Sequence, residues 1–140
     1  GKDLSSVMYG MKRIEDDVFI FITYHKEESQ DEKNYAEGKP DYADAFEDDL
    51  IFKWDSQIGK GLDSSYMKDV LEAQRKHLFV KKSDAETSFY YMGQFDVLEA
   101  RNAHKEDNRG RMQLITKVTM KMHHAVREDL LRYLQSNLTA

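Results

Sequence analysis

The sequence contains no cysteine. That excludes a disulfide framework, thiolate zinc sites and thiol nucleophiles, and it fits a reducing compartment such as the cytoplasm. No apolar run approaches the roughly 18 residues needed to span a bilayer, and no signal-peptide pattern opens the chain, so a cytoplasmic setting without a membrane partner is expected. Several catalytic signatures are missing as well. There is no H-E-x-x-H zinc helix, no G-x-S-x-G elbow, no G-x-x-x-x-G-K-[ST] phosphate loop and no G-x-G-x-x-G turn. The five histidines, His25, His77, His104, His123 and His124, show no zinc spacing. His124 and Glu128 stand four apart, but two ligands do not make a site. No catalytic residue, metal site or cofactor is therefore expected in this chain.

What is present bounds one domain. The 140 residues suffice to bury about two-thirds of the chain's surface around a single core. The net charge is −5, which argues against a generic nucleic-acid binder, yet it is unevenly placed. Residues 27–49 carry ten acids against two lysines, a net of −8, while the remainder carries 19 basic residues against 16 acidic, a net of +3. A basic face elsewhere is compatible with the acidic total. The acidic stretch also holds Gly38 and Pro40 and reads as a solvated loop.

Hydrophobic patterning predicts an α+β fold. Leu4, Val7, Met8 and Met11 have helical spacing, so an N-terminal helix is expected within residues 1–16. Residues 17–25, DVFIFITYH, form an apolar, partly β-branched run typical of a buried strand. Further strands are expected at 50–54, 77–82, 88–95 and 112–122, with 97–100 continuing the fourth or starting another. Gly93 marks a bulge or close approach. Asp63 is positioned to cap a helix beginning at Ser64, and Val126, Leu130, Tyr133 and Leu134 share one face of a terminal helix within 123–137. The strands are irregularly spaced and show no βαβ alternation. Together they predict a mostly antiparallel, barrel-like sheet (a pseudobarrel core over 17–122) flanked by two or three helices.

Two segments suggest binding. Residues 52–57, Phe-Lys-Trp-Asp-Ser-Gln, hold the single tryptophan. Either Trp54 is core at a strand end, or it stacks on a base while Lys53, Ser56 and Gln57 bond base edges. Thr23, His25 and Lys26, at the end of another strand, would join that lip if the two strands neighbour each other. Residues 101–111, RNAHKEDNRGR, bring Arg101, Lys105, Arg109 and Arg111 to a hairpin loop suited to holding phosphates. A metal nuclease is the weakest reading: Pro40-Asp41 makes a plausible start, but Asp49 and Lys53 lack the acid-x-Lys spacing.

In order along the chain come Phe21-Ile22-Thr23-Tyr24-His25-Lys26, Tyr42-Ala43-Asp44, Phe52 to Gln57, Leu78-Phe79-Val80-Lys81-Lys82 and Phe89-Tyr90-Tyr91-Met92-Gly93. This order resembles the DUF3427-type C-terminal domain of bacterial superfamily 2 helicases, proteins similar to restriction or phage-defence enzymes that join a phospholipase-D-type nuclease to an ATPase. The resemblance covers roughly residues 18–120. It departs from the family pattern in its acidic loop before Tyr42 and in lacking a Lys-Pro element near Lys105. It implies a non-catalytic, pseudobarrel DNA-reading module whose partners are duplex DNA, with a modified or flipped base as a sharper variant, and the other domains of the parent helicase. The alternative is a protein-interaction module docking on the parent ATPase or another partner, which the acidic segment favours.

Overall fold

The computed structural model describes residues 10–25 and 44–136. Its first strands, β1 (Gly10–Ile14) and β2 (Asp17–His25), form a hairpin closed by Glu15 and Asp16, with Glu15 at φ 54°. Val18, Ile20 and Ile22 of β2 enter the core, and Phe21 and Thr23 on the opposite face are also buried. Burial on both faces explains why this strand is nearly continuous in apolar residues.

The other strands are β3 (Ala45–Phe46), β4 (Ile51–Asp55), β5 (Arg75–Ser83), β6 (Tyr90–Glu106) and β7 (Met112–Met122). They make one seven-stranded sheet in the order β1-β2-β5-β6-β7-β4-β3. Five of its pairings are antiparallel, and β2 with β5 is parallel. β6 serves both halves. Its first residues pair with β5, and from Phe95 onward it pairs with β7.

Two irregularities bend β6. Register slips by one residue around Met92, beside Gly93 at φ 103°, and again around Leu98. A positive φ of that size is open to glycine and strained for other residues; such bulges raise local twist and let a sheet curl. The curl brings the far edges together. The Tyr24 hydroxyl of β2 accepts a hydrogen bond from the Phe46 N–H of β3 at 3.3 Å, and the two rings stack at 6.4 Å. Among the described residues no strand pairing joins β3 to β1, so the barrel-like sheet stays open there.

Inside the curl, Phe52 and Trp54 of β4 pack with Leu78, Val80, Phe95, Val118, Met120 and Met122. Two helices complete the core. α1 (Ser65–Glu72) contributes Met67 and Val70, and α2 (Glu128–Gln135) contributes Leu134. The cap of α1 is Ser64, whose Oγ accepts from the Met67 N–H at 3.1 Å, one residue beyond the expected Asp63. Among the described residues, no helix is long and apolar enough to cross a membrane.

Three boundaries differ from expectation. Residues 10–14, expected within the N-terminal helix, form β1, because their backbone satisfies the edge of β2; the helical spacing rested on Leu4, Val7 and Met8, which lie outside the described residues. Of the acidic segment 27–49, residues 27–43 lie outside the described residues, and 45–46 form a short strand against β4. The terminal helix begins at Glu128 rather than 123, since the Val126 N–H is held by the Asp49 carbonyl at 2.8 Å and the His123 N–H by the Gln94 carbonyl at 2.9 Å.

Candidate nucleic-acid interface

Side chains alternate across a strand, so adjacent residues face opposite sides of the sheet. Phe52 and Trp54 face the core; Lys53 and Asp55 therefore face outward. Register then builds the outer surface of three neighbouring strands. Lys53 of β4 pairs with Thr119 of β7, which pairs with Glu99 of β6, and Asp55 pairs with Lys117, which pairs with Arg101. These two rows line a shallow groove of about 250 Å³.

The groove holds three cations, Lys53, Lys117 and Arg101, against two carboxylates, Asp55 and Glu99. Their pairings differ in strength. Lys117 Nζ reaches both Asp55 oxygens, at 3.1 and 3.2 Å, and the Asp55 side chain is 6% exposed. Lys53 Nζ donates to Thr119 Oγ1 at 2.9 Å and stands 3.9 Å from Glu47, while Arg101 is 3.7 Å from Glu99 with both side chains mostly exposed. Exposed pairs of that length contribute at most about 1 kcal/mol, so both cations exchange partners at little cost. Lys105 shares the outer face with Arg101, four residues further along β6.

Residues 101–111, expected as a loop, are strand as far as Glu106 and turn only beyond it, because β7 pairs with β6 throughout that stretch. The turn is organised by Asp107. Its carboxylate accepts from the Arg109 N–H at 2.8 Å, the Arg111 N–H at 2.9 Å and Gln113 Nε2 at 3.0 Å. These bonds, that of Gln113 first, hold the Asp107 carboxyl at about 2, below its ordinary value. Arg109 and Arg111 are exposed at the tip.

The predicted lip is therefore not one surface. The structure brings together Lys53 and Arg101, with Lys105 on the same face and Arg109 and Arg111 at the ribbon's end. Trp54 is a core side chain, 5% exposed. Ser56 is also buried; its hydroxyl donates to the Lys60 carbonyl at 2.8 Å and accepts from the Thr116 N–H at 2.9 Å, tying the 56–60 loop to β7. Gln57 is exposed but lies across the seam, where a Cβ added at Gly10 would come within 3.0 Å of its Nε2. β2 and β4 are separated by three strands. Thr23 accordingly faces Lys81 of β5, buried and with no hydrogen-bond partner for its Oγ1, and His25 Nε2–H donates to the Leu134 carbonyl of α2 at 2.9 Å. Lys26 lies outside the described residues.

Two groups escaped the sequence reading. Lys117 and Thr119 complete the groove; their signal was the alternation of polar residues at 117, 119 and 121 in β7. On the other half of the outer face, Asp17 accepts from Arg75 Nε at 2.8 Å and from His77 Nε2–H at 2.8 Å, and the Tyr91 hydroxyl donates to His77 Nδ1 at 2.7 Å. The Arg75 and His77 bonds hold the Asp17 carboxyl at about 2, and burial, with the Asp17 charge, raises the Tyr91 hydroxyl. Phe19 stacks on His77 at 4.9 Å and Phe79 packs on Tyr91 at 4.9 Å, so this network locks β2, β5 and β6 side by side. No cluster of three or more potential metal ligands occurs among the described residues.

A family model described as Domain of unknown function (DUF3427) matches residues 1–134. No curated protein sequence matches the chain. Among solved structures, a crystal structure of Arabidopsis thaliana SUVH6 in complex with SAM is similar over 92% of this chain, with a TM-score of 0.50 and 10% identity. This chain spans 24% of the length of that one. The likeness is one of fold.

Proposed function

We propose that this chain, which belongs to the DUF3427 family, is a non-catalytic DNA-recognition domain of a larger helicase-type restriction or phage-defence protein. Motor and nuclease belong to other domains of that parent, and cytoplasmic duplex DNA is the ligand. The observation that carries this reading is the convergence of Lys53, Lys117 and Arg101 from three neighbouring strands on one groove. Lys117 and Arg101 stand side by side on adjacent strands and Lys53 lies diagonally from Lys117 on the third, a patch of cations suited to holding phosphates.

A gel-shift series on a mixed-sequence duplex across salt tests it. Each phosphate contact contributes a slope of about −0.9 in log affinity against log salt. Lys53→Ala with Arg101→Ala removes two cations that have only loose partners, so the slope should flatten by roughly 2. An unchanged slope for a folded double variant refutes the groove as the phosphate site.

A second reading, a docking module for the parent ATPase, is favoured by the aromatic ladder on the outer face of β2, β5 and β6, where Tyr91 is 53% exposed. Failure to bind any duplex at low salt, together with capture of the parent's ATPase domains that Tyr91→Asp abolishes, would select it.

A further inference from the structure

The end of the β6–β7 hairpin stands clear of the sheet. β5 stops pairing with β6 at Gln94, and β4 stops pairing with β7 at Lys117. The 56–60 loop gives β7 its last backbone bond, Gly59 N–H to the Leu114 carbonyl at 2.7 Å. Among the described residues, the final four rungs, Ala103↔Ile115, His104↔Leu114, Lys105↔Gln113 and Glu106↔Met112, pair with no third strand. The first two are covered, since Ile115 is 1% exposed and Leu114 lies against Gly61, so the last two rungs and the 107–111 turn form the free end.

Hydrogen bonds hold the turn at the ribbon's end. The Asp107 carboxylate fixes the turn, Gly110 at φ 77° donates its N–H to the Asp107 carbonyl at 3.0 Å, and the Asp107 N–H returns to the Arg111 carbonyl at 2.8 Å. Around that fixed turn, Arg109, Arg111 and Asn108 are exposed. Met112 is 62% exposed and Leu114 38%, both on the face shared with His104 and Glu106. Leu114 lies against Gly61, whereas Met112 stands exposed beside Arg109 and Arg111, and Arg111 Nε is 3.5 Å from Asp107 Oδ2.

We propose that this ribbon enters the major groove of duplex DNA, with Arg109 and Arg111 directed at guanine O6 and N7 and Met112 at thymine methyl groups. The inference rests on the DNA-recognition reading and adds to it the element that reaches the bases. Dimensions select the groove. The B-form major groove, about 12 Å wide and ~8.5 Å deep, admits a two-stranded ribbon, while the minor groove, near 6 Å wide, does not. An A-form RNA major groove is too narrow for the same element. Arginine is the side chain whose fork matches the two acceptors of guanine.

The test is dimethyl sulfate footprinting, which reports guanine N7, on a mixed-sequence 30-base-pair DNA duplex at low salt. It is run with the 140-residue chain and with Arg109→Ala/Arg111→Ala, whose exposed side chains make the melting temperature a check on folding. The proposal expects N7 protection by the native chain, loss of that protection in the variant, at least tenfold weaker binding and an unchanged melting temperature. Binding without N7 protection, or protection that survives the double substitution, overturns the ribbon assignment and leaves DNA binding standing. No binding of the duplex by the native chain overturns both.

Discussion

Replacing Trp54 separates packing from recognition at the residue where the sequence left both open. Trp54 is 5% exposed, pairs with Val118 and belongs to the cluster that holds Phe52 and Met120. Truncating a buried aromatic side chain to alanine costs about 3–5 kcal/mol, transfer energy plus the cavity left behind. That is a large share of the roughly 5–15 kcal/mol that a domain has. With a urea dependence near 2 kcal/mol per molar, the midpoint for Trp54→Ala should fall by about 2 M, and Trp54→Phe, which keeps a ring in place, should fall less. A base-stacking tryptophan behaves oppositely: its loss costs about 1–3 kcal/mol of binding and leaves stability nearly untouched. The assay is a pair of urea melts followed by far-UV circular dichroism, with gel shifts at urea-free, low-temperature conditions where the variant is folded. Because Trp54 is the single tryptophan, native fluorescence gives an independent check: the emission should be blue-shifted, resist quenching by acrylamide and ignore added DNA. A stable Trp54→Ala protein that has lost duplex binding refutes the packing argument.

Ser56→Ala removes the acceptor for the buried Thr116 N–H and the donor to the Lys60 carbonyl, so it should destabilise by about 1–3 kcal/mol in a urea melt while the salt slope of DNA binding stays as it is; a neutral melt would show that the 56–60 loop is not anchored there. Acid should loosen the hairpin tip. Asp107 is held at about 2 in the fold against an ordinary 3.8, a depressed carboxyl whose stabilisation is complete above its unfolded value and lost as pH falls from near 4 toward 2. Amide exchange of Arg109 and Arg111, followed by NMR, should quicken over that window in the native chain and be fast already at neutral pH in Asp107→Ala; exchange independent of both would disprove the role given to the carboxylate.

Local pattern made the interior strands legible. The uninterrupted apolar run of β2 could only satisfy both its faces inside a sheet, and Gly93 could only mark a distortion, since a glycine there offers no side chain to pack. The fate of the tryptophan run was also written in its spacing. Lys53 and Trp54 are neighbours on a strand, so they point to opposite faces and could never have formed one lip; whichever faced the core, Phe52 was bound to side with Trp54. Strand adjacency was not legible, because it is set by contacts between residues far apart in sequence. Nothing near residue 25 or 54 states that β5, β6 and β7 intervene. For the same reason the groove was half seen. Arg101 and Lys53 were found as single cations, but Lys117 and Thr119 become site residues only through the register of β7 between β4 and β6. The N-terminal helix failed over 10–14 because periodicity in a short segment is a weak signal beside an open edge of β2 that can satisfy the segment's backbone.

The β6–β7 side of the groove and the ribbon belong to one hairpin, and in the proposed reading that continuity divides their work. Arg101 and Lys105 lie on one face of β6, four residues apart, and the same strand runs on to the turn that carries Arg109 and Arg111. The bulge around Leu98 lies behind both, and from Glu99 to Glu106 the pairing with β7 runs without a shift. In the proposed complex, a duplex held by its phosphates on the outer face would meet the tip along one continuous strand pair. Phosphate contacts fix register without reading sequence, and base-edge contacts read sequence from the register so fixed. Losing Lys53 and Arg101 should then weaken all duplexes alike, whereas losing Arg109 and Arg111 should also reduce the difference between one sequence and another. The bonds from the Arg109 and Arg111 N–H groups to Asp107 fix the backbone from which both side chains start, so a sequence-independent loss on Arg109→Ala/Arg111→Ala would show that the tip holds phosphates instead of bases.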